Sequence, residues 1–69
     1  MKKTLRIEGM SCNHCVNHVK NALLEIEGII DVEVNLNSKT AVVISKQDID
    51  DSEFEKAIDE AGYKLTNVQ

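Results

Sequence analysis

The sequence predicts an α+β sandwich, with four antiparallel strands in one sheet and two helices on a single face. Three observations predict it. Residues 30–36 alternate apolar and polar without a break, and two other stretches repeat apolar residues at three- and four-residue spacings. The elements also follow the order strand, helix, strand, strand, helix, strand, which suits layered α+β packing. A chain of 69 residues has room for one domain, residues 1–69, close to the lower size limit at which a hydrophobic core offsets conformational entropy.

Each element has its own signal. Thr4 to Glu8 alternates, with Leu5 and Ile7 on one face, and Gly9 ends this first strand. From about Asn13 to Glu27, Val16, Val19, Leu23 and Ile26 form an amphipathic stripe, Leu24 broadens it, and Gly28 supplies the stop. Ile30, Val32, Val34 and Leu36 alternate with Asp31, Glu33 and Asn35 as the second strand. The turn Asn37-Ser38-Lys39 leads into Thr40 to Ser45. Periodicity alone does not choose between its two faces; we place Ala41 and Val43 inward and leave Val42 and Ile44 on the open face. Ser52-x-x-Glu55 reads as a capping box for a second helix, whose stripe is Phe54, Ala57, Ile58 and Ala61. Gly62 closes that helix, and Tyr63 to Val68 forms the last strand. This is the split βαβ order of a ferredoxin-like βαββαβ sandwich. In such a fold the loops after the first strand and before the last share one end of the sheet, so Tyr63 is expected near Cys12 and Cys15.

Composition narrows the function classes. Hydrophobic residues make up 42% and charged residues 29%, as in a folded soluble domain. The net charge of −4, with acid concentrated at Asp48, Asp50, Asp51, Glu53, Glu55, Asp59 and Glu60, disfavours nucleic acid. That run reads as a solvated helix face. Met1-Lys2-Lys3-Thr4 runs straight into a strand pattern with no apolar leader, and no stretch is long enough to insert into a membrane. The expected compartment is the cytoplasm. It is reducing, which favours a metal or redox pair over a structural disulfide for two cysteines three apart.

Those cysteines lie in Gly9-Met10-Ser11-Cys12-Asn13-His14-Cys15, between a strand and a helix. Two sulfurs at this spacing converge on one ion, and thiolates prefer soft ions such as Cu(I). The free N–H groups and positive dipole end of the helix favour the thiolate, so Cys15 is expected to be the better stabilised sulfur and Cys12 the more exposed. Met10 could serve as a thioether ligand, although a core plug that anchors the loop is favoured, since Met fills irregular gaps. His14 and His18 are the residues that could convert two sulfurs into a zinc site. Tyr63 either hydrogen-bonds and shields the sulfurs or simply covers the core edge. An enzyme of the thiol-disulfide type is disfavoured, because the strand order is wrong and there is no Trp or Pro, hence no cis-Pro beside the cysteines. A c-type haem site fails at Val16, where His would be needed.

Across nearly its whole length the chain resembles the heavy-metal-associated domain family, through Gly9-Met10-x-Cys12-x-x-Cys15 and the late Gly62-Tyr63. It is most similar to the small bacterial copper chaperones of that family. The resemblance implies a ferredoxin-like fold and Cu(I) held by Cys12 and Cys15; Met10, Ser11 and Tyr63 are the candidates for anchoring the loop or shielding the sulfurs. Zinc carriers of the family tend to place an Asp before the first cysteine, where this chain has Ser11, and mercury carriers resemble exported proteins. A Tyr at position 63 looks like the bacterial chaperones. The implied partner is the metal-binding domain of a copper-transporting P-type ATPase, with a copper-responsive repressor as a further candidate. The apo chain is expected to be a monomer, and in a copper-bridged dimer His14 could become an extra ligand.

Overall fold

The computed structural model describes residues 1–69. Strand β1 spans Lys2–Glu8, helix α1 Asn13–Leu24, β2 Ile29–Asn35, β3 Thr40–Ser45, α2 Asp51–Glu60 and β4 Lys64–Val68. The four strands form one antiparallel sheet in the order β2-β3-β1-β4. Helix α1 packs over β2, α2 over β4, and the helices touch each other. This is the ferredoxin-like architecture that the element order predicts.

The core lies between the sheet and the helices. Leu5 and Ile7 of β1, Val32 of β2, and Ala41 and Val43 of β3 meet Val19 and Leu23 of α1 and Phe54 and Ile58 of α2. The inward choice for β3 is therefore Ala41 and Val43, as expected, with Val42 and Ile44 half-buried on the open face. Met10 and Ile49, both outside regular elements, complete the core. Ile49 escapes a periodicity reading because a loop residue has no repeat to betray it.

Several boundaries and faces differ from the sequence reading. β1 begins at Lys2 rather than Thr4, since Lys2 and Lys3 already pair with Ile44 and Val43. α1 ends at Leu24 instead of near Glu27: the Ile26 N–H bonds to the Leu23 carbonyl and tightens the chain out of the helix before Gly28 is reached. That turn carries Ile26 against the core and leaves Leu24, assigned to the stripe, 41% exposed.

Ile30 is the clearest correction. The unbroken alternation assigns it to the buried face, but it is 60% exposed. Ile29 pairs with Ser45 and Asp31 with Ile44, so Ile30 is an extra residue in a β-bulge. The bulge reverses the alternation, and Ile29 takes the inward place beside buried Ser45.

The start of α2 also differs. Its N-cap is Asp50, whose carboxylate accepts the Ser52 N–H at 3.2 Å, so Ser52 lies inside the helix and the expected capping box does not form. Asp50→Ala is expected to lower stability by about 1 kcal/mol through loss of that cap. Ser52→Ala should change it by less than about 0.5 kcal/mol, as at other surface positions. Urea midpoints of the two variants check this, and equal losses would contradict the assignment.

Part of the acidic run does more than face solvent. The Lys3 ammonium donates to the Ile49 carbonyl at 2.9 Å and to Asp51 at 3.2 Å, lies 3.3 Å from Asp48, and sits 5.7 Å from the centre of the Phe54 ring. It ties β1 to the loop that leads into α2.

Candidate metal site

The two cysteines occupy the junction between β1 and α1. Cys12 is the N-cap of α1 with an extended backbone (φ −155°, ψ 171°), and its side chain makes no capping hydrogen bond. The sulfur is therefore free to face outward. Cys15, in the first turn, is half-buried against the core, whereas Cys12 is exposed. The sulfurs are 3.2 Å apart, too far for a disulfide bond of about 2.05 Å and close enough for one thiol to donate to the other.

Electrostatics favour ionisation at Cys15. Hydrogen bonding from the Ser11 backbone is the main cause, followed by the Tyr63 hydroxyl and the Cys12 side chain; together they outweigh partial burial and pull the Cys15 thiol from 9.0 down to about 6. The complementary effect falls on Tyr63, whose phenol is pushed above its ordinary value because its proton is held by the Cys15 sulfur. At neutral pH the site thus offers a ready thiolate.

The loop's shape comes from its flanks. Gly9 has φ +101°, in a region that side chains rarely adopt, and a Cβ there would lie 3.2 Å from Cδ1 of Tyr63. Met10 is only 4% exposed and belongs to the core, so its side chain roots the loop in the hydrophobic interior. Ser11 and His14 are exposed at the surface.

Tyr63, between α2 and β4, leans over this loop as the topology predicts. Its ring meets that of His18 edge-on, with centroids 5.9 Å apart and planes at 84°. His18, weighed in the sequence as a candidate ligand, is a neighbour of Tyr63. Its three-residue spacing from Cys15, which puts both on one face of α1, was the available signal. No group of three or more His, Cys, Asp or Glu side chains comes together anywhere in the chain. Two sulfurs as a donor set would be soft and low in number, a chemistry that suits a soft ion better than one that seeks four ligands.

Fold and site together define a small α+β module with a paired-cysteine loop at the head of its first helix. The chain belongs to the heavy-metal-associated domain family, whose profile matches residues 4–64. It is 38% identical over 65 residues to the copper chaperone CopZ of Enterococcus hirae, covering 93% of this chain and 94% of that protein. It is also 33% identical over 70 residues to a probable copper-exporting P-type ATPase of Archaeoglobus fulgidus, where the match spans all of this chain but 9% of the ATPase. Among solved structures, a CopZ metallochaperone superposes with a TM-score of 0.89 at 33% identity, covering 96% of this chain and all of the other.

Proposed function

We propose that residues 1–69 act as a single heavy-metal-associated domain, a cytoplasmic copper chaperone that holds Cu(I) between Cys12 and Cys15. The observation that carries this reading is the donor set: one exposed and one half-buried sulfur, the latter with its thiol pulled down to about 6, and no third ligand nearby. Two thiolates satisfy a low-coordinate soft ion and leave it open to attack. Similarity to CopZ of Enterococcus hirae over nearly the full length of both chains supports the same reading.

Delivery follows by ligand exchange, with copper remaining Cu(I) throughout. A partner's thiolate adds to the two-coordinate ion, and a three-sulfur intermediate spans the interface. Cys12 and Cys15 are then replaced in turn as a second partner thiolate adds, and hydrogen bonding from the Ser11 backbone and Tyr63 stabilises the Cys15 sulfur as it is freed. No covalent bond of a substrate is made or broken, so the activity is carriage and not catalysis. Met10 and Ser11 keep the loop in shape, the first from the core and the second through its backbone.

The partner is the metal-binding domain of a copper-transporting P-type ATPase. Similarity to the probable copper exporter of Archaeoglobus fulgidus supports it, since donor and acceptor would then present like sites to one another. A copper-responsive repressor is a second recipient consistent with the same exchange chemistry. In this reading the apo chain is a monomer, and His14, which is exposed, would supply the extra ligand in a copper-bridged dimer.

Anaerobic competition against a coloured Cu(I) chelator tests the assignment, with zinc titrated in parallel. We expect one Cu(I) to be taken from the chelator, weak zinc binding, and loss of both in Cys12→Ser/Cys15→Ser. Zinc bound as tightly as copper, and lost on His14→Ala/His18→Ala, would make the chain a zinc carrier.

A further inference from the structure

We propose that Ile30-Asp31-Val32 and Thr66-Asn67-Val68 are matched blocks that close the two edges of the sheet to strand addition, and so keep copies of the chain from joining sheet to sheet. The proposal concerns the metal-free chain and goes beyond the copper-carrying reading.

The strand order β2-β3-β1-β4 leaves β2 and β4 each with one side unpaired. Such a side offers a row of N–H and C=O groups to any other strand, above all where the edge is apolar. β2 carries that hazard: it opens Ile29-Ile30-Asp31-Val32, and Ile30 is 60% exposed.

Both edges carry the same three-residue arrangement. The first residue is an extra one in a bulge. Ile30 falls between the pairs Ile29–Ser45 and Asp31–Ile44, and Thr66 between Leu65–Ile7 and Asn67–Arg6. The pairing of β1 with β3, inside the sheet, has no such shift. The second residue is an Asp or Asn whose side-chain oxygen takes the N–H of the third. Oδ1 of Asp31 accepts from Val32 at 2.9 Å, and Oδ1 of Asn67 accepts from Val68 at 3.0 Å.

The N–H groups taken in this way are ones that an added strand would need. Thr4 and Gln69 exchange both backbone hydrogen bonds, so Val68, next to Gln69, turns its N–H away from β1. On the other side, Ser45 gives its N–H to Met1, so Ile44 turns toward β2 and pairs with Asp31; Val32 therefore faces away. An added strand bonds to alternate residues, and on β2 it would need Val32 and Val34 together. With the Val32 donor taken and the bulge beside it breaking the repeat, a run of ladder bonds has no place to start. Thr66 steadies the second bulge by donating its hydroxyl to the Arg6 carbonyl at 3.2 Å.

The test uses the reduced, metal-free chain and two readings: the protein concentration at which sedimentable, thioflavin-T-positive material forms, and amide hydrogen exchange in the dissolved chain. Asp31→Ala/Asn67→Ala frees both donors. Its threshold concentration should fall by roughly two- to tenfold for each edge opened, the net worth of one hydrogen bond. The amides of Val32 and Val68 should exchange faster while that of Val43, in the interior strand β3, is unchanged. Asp31→Asn/Asn67→Asp keeps both acceptors and the net charge of −4, and should match wild type. So should Glu33→Ala, which makes the same charge change as Asp31→Ala on the same strand.

An unchanged threshold in the double alanine variant would overturn the proposal. An equal fall for Glu33→Ala would do so too, by assigning the effect to charge. Faster exchange at Val43, by the factor through which the threshold falls, would make unfolding the cause and overturn it as well.

Discussion

Phe54→Ala is expected to leave the chain near the edge of unfolding at 25 °C. Phe54 is the only phenylalanine and is 1% exposed, and it packs from the first turn of α2 into the middle of the core. Truncating a buried Phe costs about 3–5 kcal/mol. A domain of 69 residues has a total stability of roughly 3–10 kcal/mol at the usual value per residue. The loss is therefore comparable to the lower part of that range. The same change removes the surface under the Lys3 ammonium and so weakens its bridge from β1 to Ile49, Asp48 and Asp51. Phe54→Leu, which keeps most of the volume, should cost less than about 1.5 kcal/mol. Urea denaturation followed by far-ultraviolet circular dichroism distinguishes the two, and a small midpoint shift for Phe54→Ala would mean that the core closes over the cavity more readily than its packing suggests.

The second large effect concerns the sulfurs taken singly. Removing either should weaken Cu(I) binding by about a hundredfold or more, beyond the ten- to hundredfold typical of losing an outer-shell partner. The two variants should differ in their dependence on pH. Cys12→Ser leaves Cys15, whose thiol sits at about 6 in the intact site. Only the thiolate binds, so the residual affinity should be nearly flat from pH 8 to 7 and then fall about tenfold per unit as acid protonates the sulfur. Because the Cys12 side chain is itself one of the groups that lowers Cys15, the break in this variant should lie somewhat above 6. In the wild type the plot of log affinity against pH should steepen by one proton as pH falls through about 6. A single slope from pH 5 to 8 would show that Cys15 is not ionised ahead of the metal.

Where the backbone keeps its phase, periodicity was a sufficient guide. Leu5 and Ile7, Val19 and Leu23, and Phe54 and Ile58 are buried where their spacing puts them, and the element order leads to the observed sheet. The misreadings share a physical origin, in that local pattern does not register a change of backbone phase. Ile30 looks like the first inward residue of β2 until the bulge turns it out, and Leu24 looks like part of the α1 stripe until the helix ends beneath it. At α2, Asp50 and Ser52 both have the chemistry of a cap, and only the backbone geometry decides for Asp50.

The site divides in the same way. Cys12 and Cys15 announce themselves by spacing, and the topology brings Tyr63 to them. The pairing of His18 with Tyr63 joins a helix residue to a loop residue far apart in the chain, and no local signal records it. The leading role of the Ser11 backbone in lowering the Cys15 thiol is hidden for a different reason: it belongs to the main chain, whose direction at that point is shaped by Gly9 and Met10 and not by the identity of Ser11.

Met10 has a consequence for when order is acquired. A loop rooted in the interior loses its conformational entropy as the protein folds, long before any ion arrives, so loading the site need not organise the backbone. Empty and laden forms would then present nearly the same contour to the outside. A receiving surface would tell them apart only by the ion itself, and an unladen carrier would compete with a laden one for the same berth. The flow of metal would consequently follow the ratio of the two forms, so that making more of the protein without more metal would slow delivery.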